Sequence, residues 1–344
     1  MNERKDWIDS LKGVSILFIM LIHLENYTKI FNDYNFILCF INRGNLGVEL
    51  TYLLNSYLLI NKYEKQRLDN CIDMRGGVLM NSIIRIIPLY YLALFIFIIF
   101  AFKGIIADSP SFINIISHFT LISFVNPIWW GTFAGSGYMG VLVLCWILLP
   151  LYYRFTKDFS SSLFGMVIVL ILSEIAMFIF GRICLISDES LCRTWINYIF
   201  RGFESFSVGV FIYFFRKKIS LNKHLEKKDF IYILILNIFY LVLLCYMNVY
   251  LNVIYLIAII PFVVLISYYP TKVIVNPITK FLGKYIFGIY FSHILLYIAL
   301  KNVINNSVIL WLVYIFLSIF CAWVFCNTYE KIMVKHLRKL MRLR

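Results

Sequence analysis

The chain has little charge, and little of that charge is negative. Charged residues fill 15% of 344 positions, against about 25% in soluble domains. Asp and Glu number 18 against 32 Lys and Arg, for a formal net charge of +14. Hydrophobic residues reach 62%, where a soluble domain holds roughly 45–50%. A water-soluble core cannot absorb that excess, so two or three soluble domains are excluded and a polytopic membrane protein is expected. The basic balance does not point to nucleic acid, because topology signals in cytoplasmic loops account for it.

The usual signatures of soluble enzymes are also missing. There is no P-loop, no G-x-S-x-G, no H-E-x-x-H and no G-x-G-x-x-G. The eight cysteines show no C-x-x-C or other zinc spacing, so no metal is expected. Cys39, Cys145, Cys245, Cys321 and Cys326 sit in apolar runs and read as small core residues. Cys184 and Cys192 bracket a short loop placed outside the membrane, where a disulfide and two free thiols both remain open. No fixed-period repeat and no low-complexity linker interrupts the chain. Residues 1–330 therefore read as a single membrane domain, followed by a basic amphipathic tail over 331–344 that suits the anionic inner leaflet.

What is present is a series of apolar runs, near 11–30, 46–61, 79–102, 111–126, 137–155, 162–181, 197–215, 229–248, 250–269, 281–300 and 307–327. The first has no small-residue cleavage site, and His23, Glu25 and Asn26 close it, so it reads as a retained span. The weakest is 111–126, which follows Pro110 and contains Asn114 and His118. Positive charge decides its status. Lys and Arg crowd into 62–77, 216–228 and 328–344, while the alternate segments hold only Lys29, Arg43, Lys103, Arg182, Arg193 and Lys301. That asymmetry survives only if 111–126 does not span. The expected fold is an all-α integral membrane bundle of about ten transmembrane helices with both termini cytoplasmic, and a short re-entrant or interfacial segment near 111–126.

Ionisable groups inside apolar runs are costly and so mark candidate sites. The first run carries Asp9 and Lys12 at its entrance and His23 deeper in. Lys12 and His23 are eleven positions apart, which returns them to one helix face with a rise of roughly 16 Å. This is an axis from the cytoplasmic surface to mid-membrane. A buried neutral imidazole is what a general base needs in order to take a proton from a hydroxyl. His293 lies at similar depth, with a backbone carbonyl, Ser292 and Tyr290 as local partners. Arg85 sets a cation near the inner surface just before Pro88 and, with Lys12, suits a phosphate-bearing ligand. Glu49 near the outer end of its run and His118 on the outer segment are weaker candidates for an external substrate. Glu174 is expected in an ion pair within the bundle, and Arg201 with Glu204, three residues apart, in a local pair.

Four stretches carry a resemblance. They are Trp7-Ile-Asp-Ser-Leu-Lys-Gly through His23, Gly47-Val-Glu-Leu-Thr-Tyr-Leu-Leu-Asn-Ser-Tyr-Leu-Leu59, Ile84-Arg-Ile-Ile-Pro-Leu-Tyr-Tyr91, and Phe281-Leu-Gly-Lys-Tyr-Ile-Phe-Gly-Ile-Tyr-Phe-Ser-His293. In their order and positions they resemble the motifs of membrane acyltransferase family 3, which includes O-acetyltransferases of bacterial surface polysaccharides. The resemblance implies a multi-pass protein of the bacterial cytoplasmic membrane. Such a protein takes acetyl from acetyl-CoA, as acyl donor, and places it on a hydroxyl of a surface glycan or its lipid-linked precursor. It also implies that His23 is essential and that Lys12 and Arg85 belong to the acyl-CoA side. The chain departs from the family pattern at Ser82, where many members have a further arginine, and at Asn55-Ser56, where Ser-Gly is common. The stretch 137–150 lacks a glutamate that many members carry. Buried charges in many spans would equally suit a transporter or flippase of glycan or lipid intermediates, although no transporter-like repeat is visible.

Overall fold

The computed structural model describes residues 6–28, 41, 44–68, 77–105, 111–122, 136–186, 190–219, 227–246, 252–301, 303–304 and 306–340. Every regular element among them is helical. In order they are α1 (Asp6–Thr28), α2 (Asn45–Leu68), α3 (Gly77–Phe102), α4 (Phe112–Phe119), α5 (Ser136–Phe155), α6 (Phe159–Ile186) and α7 (Ser190–Ile219). Then come α8 (Lys227–Tyr246), α9 (Asn252–Tyr268), α10 (Pro277–Lys284), α11 (Ile286–Leu300), α12 (Ser307–Phe325), a π-helical turn (Cys326–Glu330) and α13 (Lys331–Leu340).

Local chemistry sets the helix starts. Asp158 opens α6 by accepting from the Ser161 N–H at 2.8 Å, while the Ser161 hydroxyl accepts from the Asp158 N–H at 3.1 Å. This reciprocal cap satisfies two otherwise orphan donors. The Ser161 N–H and hydroxyl hold the exposed Asp158 carboxyl below the usual carboxylate range. Asn276 and Thr279 form the same box at α10, with Pro277 in its first turn. Asn306 opens α12 by accepting from the Val308 and Ile309 N–H groups, both at 3.0 Å.

Among the described residues, five helices are long and apolar enough to cross a bilayer, or six if the broken pair α10–α11 counts as one. Their outward faces are apolar. On α6, Phe164, Ile171, Leu172 and Phe178 are exposed, and on the shorter apolar stretch of α8 Tyr232, Leu236 and Phe239 are too. Such surfaces are stable against lipid tails and not against water, so the chain is a multi-pass membrane protein.

Two compact units divide the chain. The first holds residues 1–61, 149–174 and 201–286, and the second 62–148, 175–200 and 287–344. The core of the first unit runs through Trp7, Leu11, Leu53, Leu54, Tyr57, Met166, Val208, Ile212, Leu256 and Val263. The second buries Tyr90, Phe97, Met139, Leu142, Trp146 and Tyr314.

One expectation needs correction. The run 281–300 is not one continuous span, since it breaks at Tyr285 between α10 and α11. The basic tail begins as an extension of the last span's helix. The helix continues through the π turn into α13, which packs against α3. Among the described residues of the run 111–126, the helix covers Phe112–Phe119, eight residues that are too short to span. It ends where Leu121 takes a left-handed φ of 59°. Glu25 and Thr28 lie on α1, while the side chains of Cys184 and Cys192 fall outside the described residues.

Candidate functional site

In the first unit, α1 is held by glycine contacts that leave no room for any side chain. A Cβ on Gly13 would meet the Thr279 carbonyl oxygen at 2.0 Å, and one on Gly283 would meet the Asp9 oxygen at 1.6 Å. α1 and the short α10 thus touch backbone to backbone, as small residues allow within membranes. Lys280 of α10 adds an ion pair to Asp6 at 2.5 Å. The sequence motifs around Asp9-Lys12-Gly13 and Leu282-Gly283 are therefore two sides of one contact.

On its other flank α1 meets α2 through a polar seam. Lys12 Nζ donates to Asn55 Oδ1 at 3.3 Å. The Ser15 and Thr51 hydroxyls are 3.0 Å apart, Ser15 donates to the Lys12 carbonyl at 2.7 Å, and Thr51 to the Gly47 carbonyl at 2.8 Å. Gly47 lies so close to α1 that a Cβ would meet the Ser15 oxygen at 2.3 Å. The departure from the family pattern at Asn55 thus supplies a hydrogen-bond acceptor for Lys12. Ser56 faces Gly209 of α7, where a Cβ would come within 1.9 Å of its Oγ.

The entrance turn of α1 is clamped by a residue that sequence reasoning missed. Arg216 lies 5.3 Å from the ring centroids of both Trp7 and Tyr268, and donates to Tyr57 Oη at 2.8 Å and to the Ser267 carbonyl at 3.1 Å. Trp7 and Tyr57 meet edge to face at 5.4 Å. In sequence Arg216 is one more cation of a topology loop, and only packing reveals its aromatic cage. Along α1, three turns beyond Lys12, His23 is half-buried.

Glu49, a candidate for an external substrate, is buried on α2. Arg201 of α7 holds it with an Nε–Oε1 hydrogen bond of 2.6 Å and a second guanidinium contact. This corrects the expected local pair of Arg201 with Glu204. Glu204 is fully buried, and neither of its oxygens has a hydrogen-bond partner among the described residues. Glu174 is half-buried on α6.

The second unit holds the other candidates. Arg85 on α3 is exposed, within electrostatic reach of Glu330 in the π turn. The Tyr90 and Tyr91 hydroxyls donate to the carbonyls of His118 and Phe119, both at 2.8 Å, and so pin α4 onto α3. His118 is buried, and burial pushes its imidazole down to about 4, so it is neutral at physiological pH. His293 is also fully buried, with Nδ1 3.1 Å from the Ile289 carbonyl. A carbonyl only accepts, so Nδ1 donates in this contact. Tyr290 and Tyr314 rings flank it at 5.7 and 6.5 Å. Ser292 does not bond His293 but donates to the Ser318 carbonyl of α12 at 3.0 Å. Among the described residues, no three His, Cys, Asp or Glu side chains gather as metal ligands would.

A family model of the acyltransferase domain matches residues 5–327, nearly the whole chain. The chain belongs to the acyltransferase 3 family. Among curated proteins and solved structures, none matches it significantly. Membership and the lipid-facing apolar helices together make it a membrane acyltransferase.

Proposed function

We propose that this acyltransferase moves an acetyl group from cytoplasmic acetyl-CoA to a hydroxyl of a surface glycan or its lipid-linked precursor, with His23 as general base. The supporting observation is that one helix, α1, carries both Lys12 at its entrance and His23 about 16 Å further on. In this reading the chain crosses the bacterial cytoplasmic membrane ten times with both termini inside. α10 and α11 together make one crossing, and α2, α7, α8 and α9 cross as well. Lys12 and Arg85 serve the acyl-CoA side. Glu49, His118 and His293 are further residues for the acceptor, with Glu49 held in place by Arg201.

The chemistry is a single displacement. A ring nitrogen of His23 takes the proton of the acceptor hydroxyl as its oxygen attacks the thioester carbonyl. The C–O bond forms, the C–S bond breaks, and the departing thiolate recovers the proton as free coenzyme A. Nothing is oxidised or reduced, and His23 ends neutral. NMR of the surface glycan from cells with the wild-type protein should show an O-acetyl signal that is lost with His23→Ala. A variant that acetylates at the wild-type level would refute the role of His23. Flux of a glycan intermediate without any acyl transfer would instead favour a flippase.

A further inference from the structure

We propose that Asn55 is, with Lys12, the second hydrogen-bond donor of an anion-binding pair that holds the diphosphate end of the acyl-CoA. This rests on the donor reading above and deepens it. Lys12 is 8% exposed and Asn55 7%, and Lys12 Nζ lies 3.3 Å from Asn55 Oδ1. An ammonium has only donors, so the amide must turn its oxygen to Lys12. The amide's NH2 end then carries two donor hydrogens, and Asn55 Nδ2 has no hydrogen-bond partner among the described residues. One turn further along, the Ser15 and Thr51 hydroxyls, each with one hydrogen, are spent on backbone carbonyls. The spare donor of this seam therefore sits at Asn55, and a buried donor of that kind calls for an acceptor.

The acceptor is identified by charge and by length. Asp9, three residues before Lys12, shares its flank of α1. An anion here must then be hydrogen-bonded more than once rather than held by one cation, and a phosphate offers the oxygens for it. Along α1, Lys12 and His23 are separated by about 16 Å. An extended pantetheine arm has about thirteen bonds from sulfur to its first phosphorus, or roughly 15 Å at the spacing of an extended chain. With the thioester at His23, the first phosphate falls at Lys12 and Asn55. α1 then acts as a ruler for the acyl donor.

The test compares coenzyme A with pantetheine, which has the same arm without phosphate, by calorimetry on the purified full-length protein. Asn55→Leu should raise the Kd for coenzyme A about ten- to hundredfold, the loss of one hydrogen bond to a charged group, and leave that for pantetheine unchanged. Asn55→Ser keeps a shorter donor and should fall between. In turnover, KM for acetyl-CoA should rise at constant kcat, while KM for acetyl-pantetheine stays put. The contrast between ligands on one sample does not depend on the fraction folded. An equal effect on both ligands, or none on either, would overturn the proposal. Wild-type protein that binds neither would overturn the donor reading as well, whereas one that binds coenzyme A with Asn55 indifferent would overturn this inference alone.

Discussion

The seam between α1 and α10 makes Gly13→Ala and Gly283→Ala the sharpest test of the architecture. An added Cβ would stand 2.0 Å from the Thr279 oxygen in the first case and 1.6 Å from the Asp9 oxygen in the second. Carbon and carbonyl oxygen approach comfortably to about 3.3 Å, so the helices must part by roughly 1.3 and 1.7 Å. The obstructing atoms are backbone, which has no rotamer to yield. Overpacking of this kind costs about 1–3 kcal/mol, occasionally more, against a gain of about 1 kcal/mol in helix propensity. Since the backbone cannot yield, the upper end of that range applies, and each variant should be less stable by about 2 kcal/mol or more. Because both side chains wedge the same seam, the double variant should cost less than the two together. α1 also carries Lys12 and His23, so kcat should fall, up to about a hundredfold for a 1 Å displacement. Thermal unfolding of the detergent-solubilised protein, read by size-exclusion recovery, measures the first effect, and acetyl-CoA turnover the second. An alanine variant that melts at or above the wild-type temperature would refute the contact.

Further expectations concern individual groups. Arg201→Met leaves the Glu49 carboxylate, 2% exposed, without its cation and should cost about 3–5 kcal/mol. Glu49→Leu combined with it should recover much of the loss in the same melting assay, and a stable but inactive double variant would return Glu49 to the acceptor site. For His118, burial lowers the folded-state value to about 4, so the unfolded chain binds the extra proton. Its contribution is present above about pH 6.5 and is lost as pH falls towards 4, by about 3 kcal/mol in all. His118→Gln should flatten that slope, and an unchanged pH profile would show that the imidazole is wet. Tyr90→Phe removes the hydroxyl that caps the His118 carbonyl and should loosen α4 at a cost of about 1–3 kcal/mol, read as faster amide exchange over 112–119.

Sequence alone determined the class of solvent, the family and the axis. The excess of apolar residues leaves only lipid as a partner, and helical periodicity puts Lys12 and His23 on one face of α1 wherever α1 is placed. The positive charge of the loops likewise set 111–126 apart as the run expected not to cross, and the helix described within it, α4, has eight residues. These are local properties, readable within a window of a few turns. What tertiary structure decided is which residues from distant segments meet. Arg201 bonds Glu49, 152 positions away, in preference to Glu204 on its own helix. Asn55 meets Lys12 across 43 positions, and Arg216 closes on Trp7 and Tyr57. Glycine in a motif signals close approach but does not name the carbonyl it admits. Only the packing of α1 between α2 and α10 shows that Gly13 and Gly283 serve one contact. Pairing between helices depends on side-chain reach and backbone separation in three dimensions, and neither has a signature in one chain read along its length.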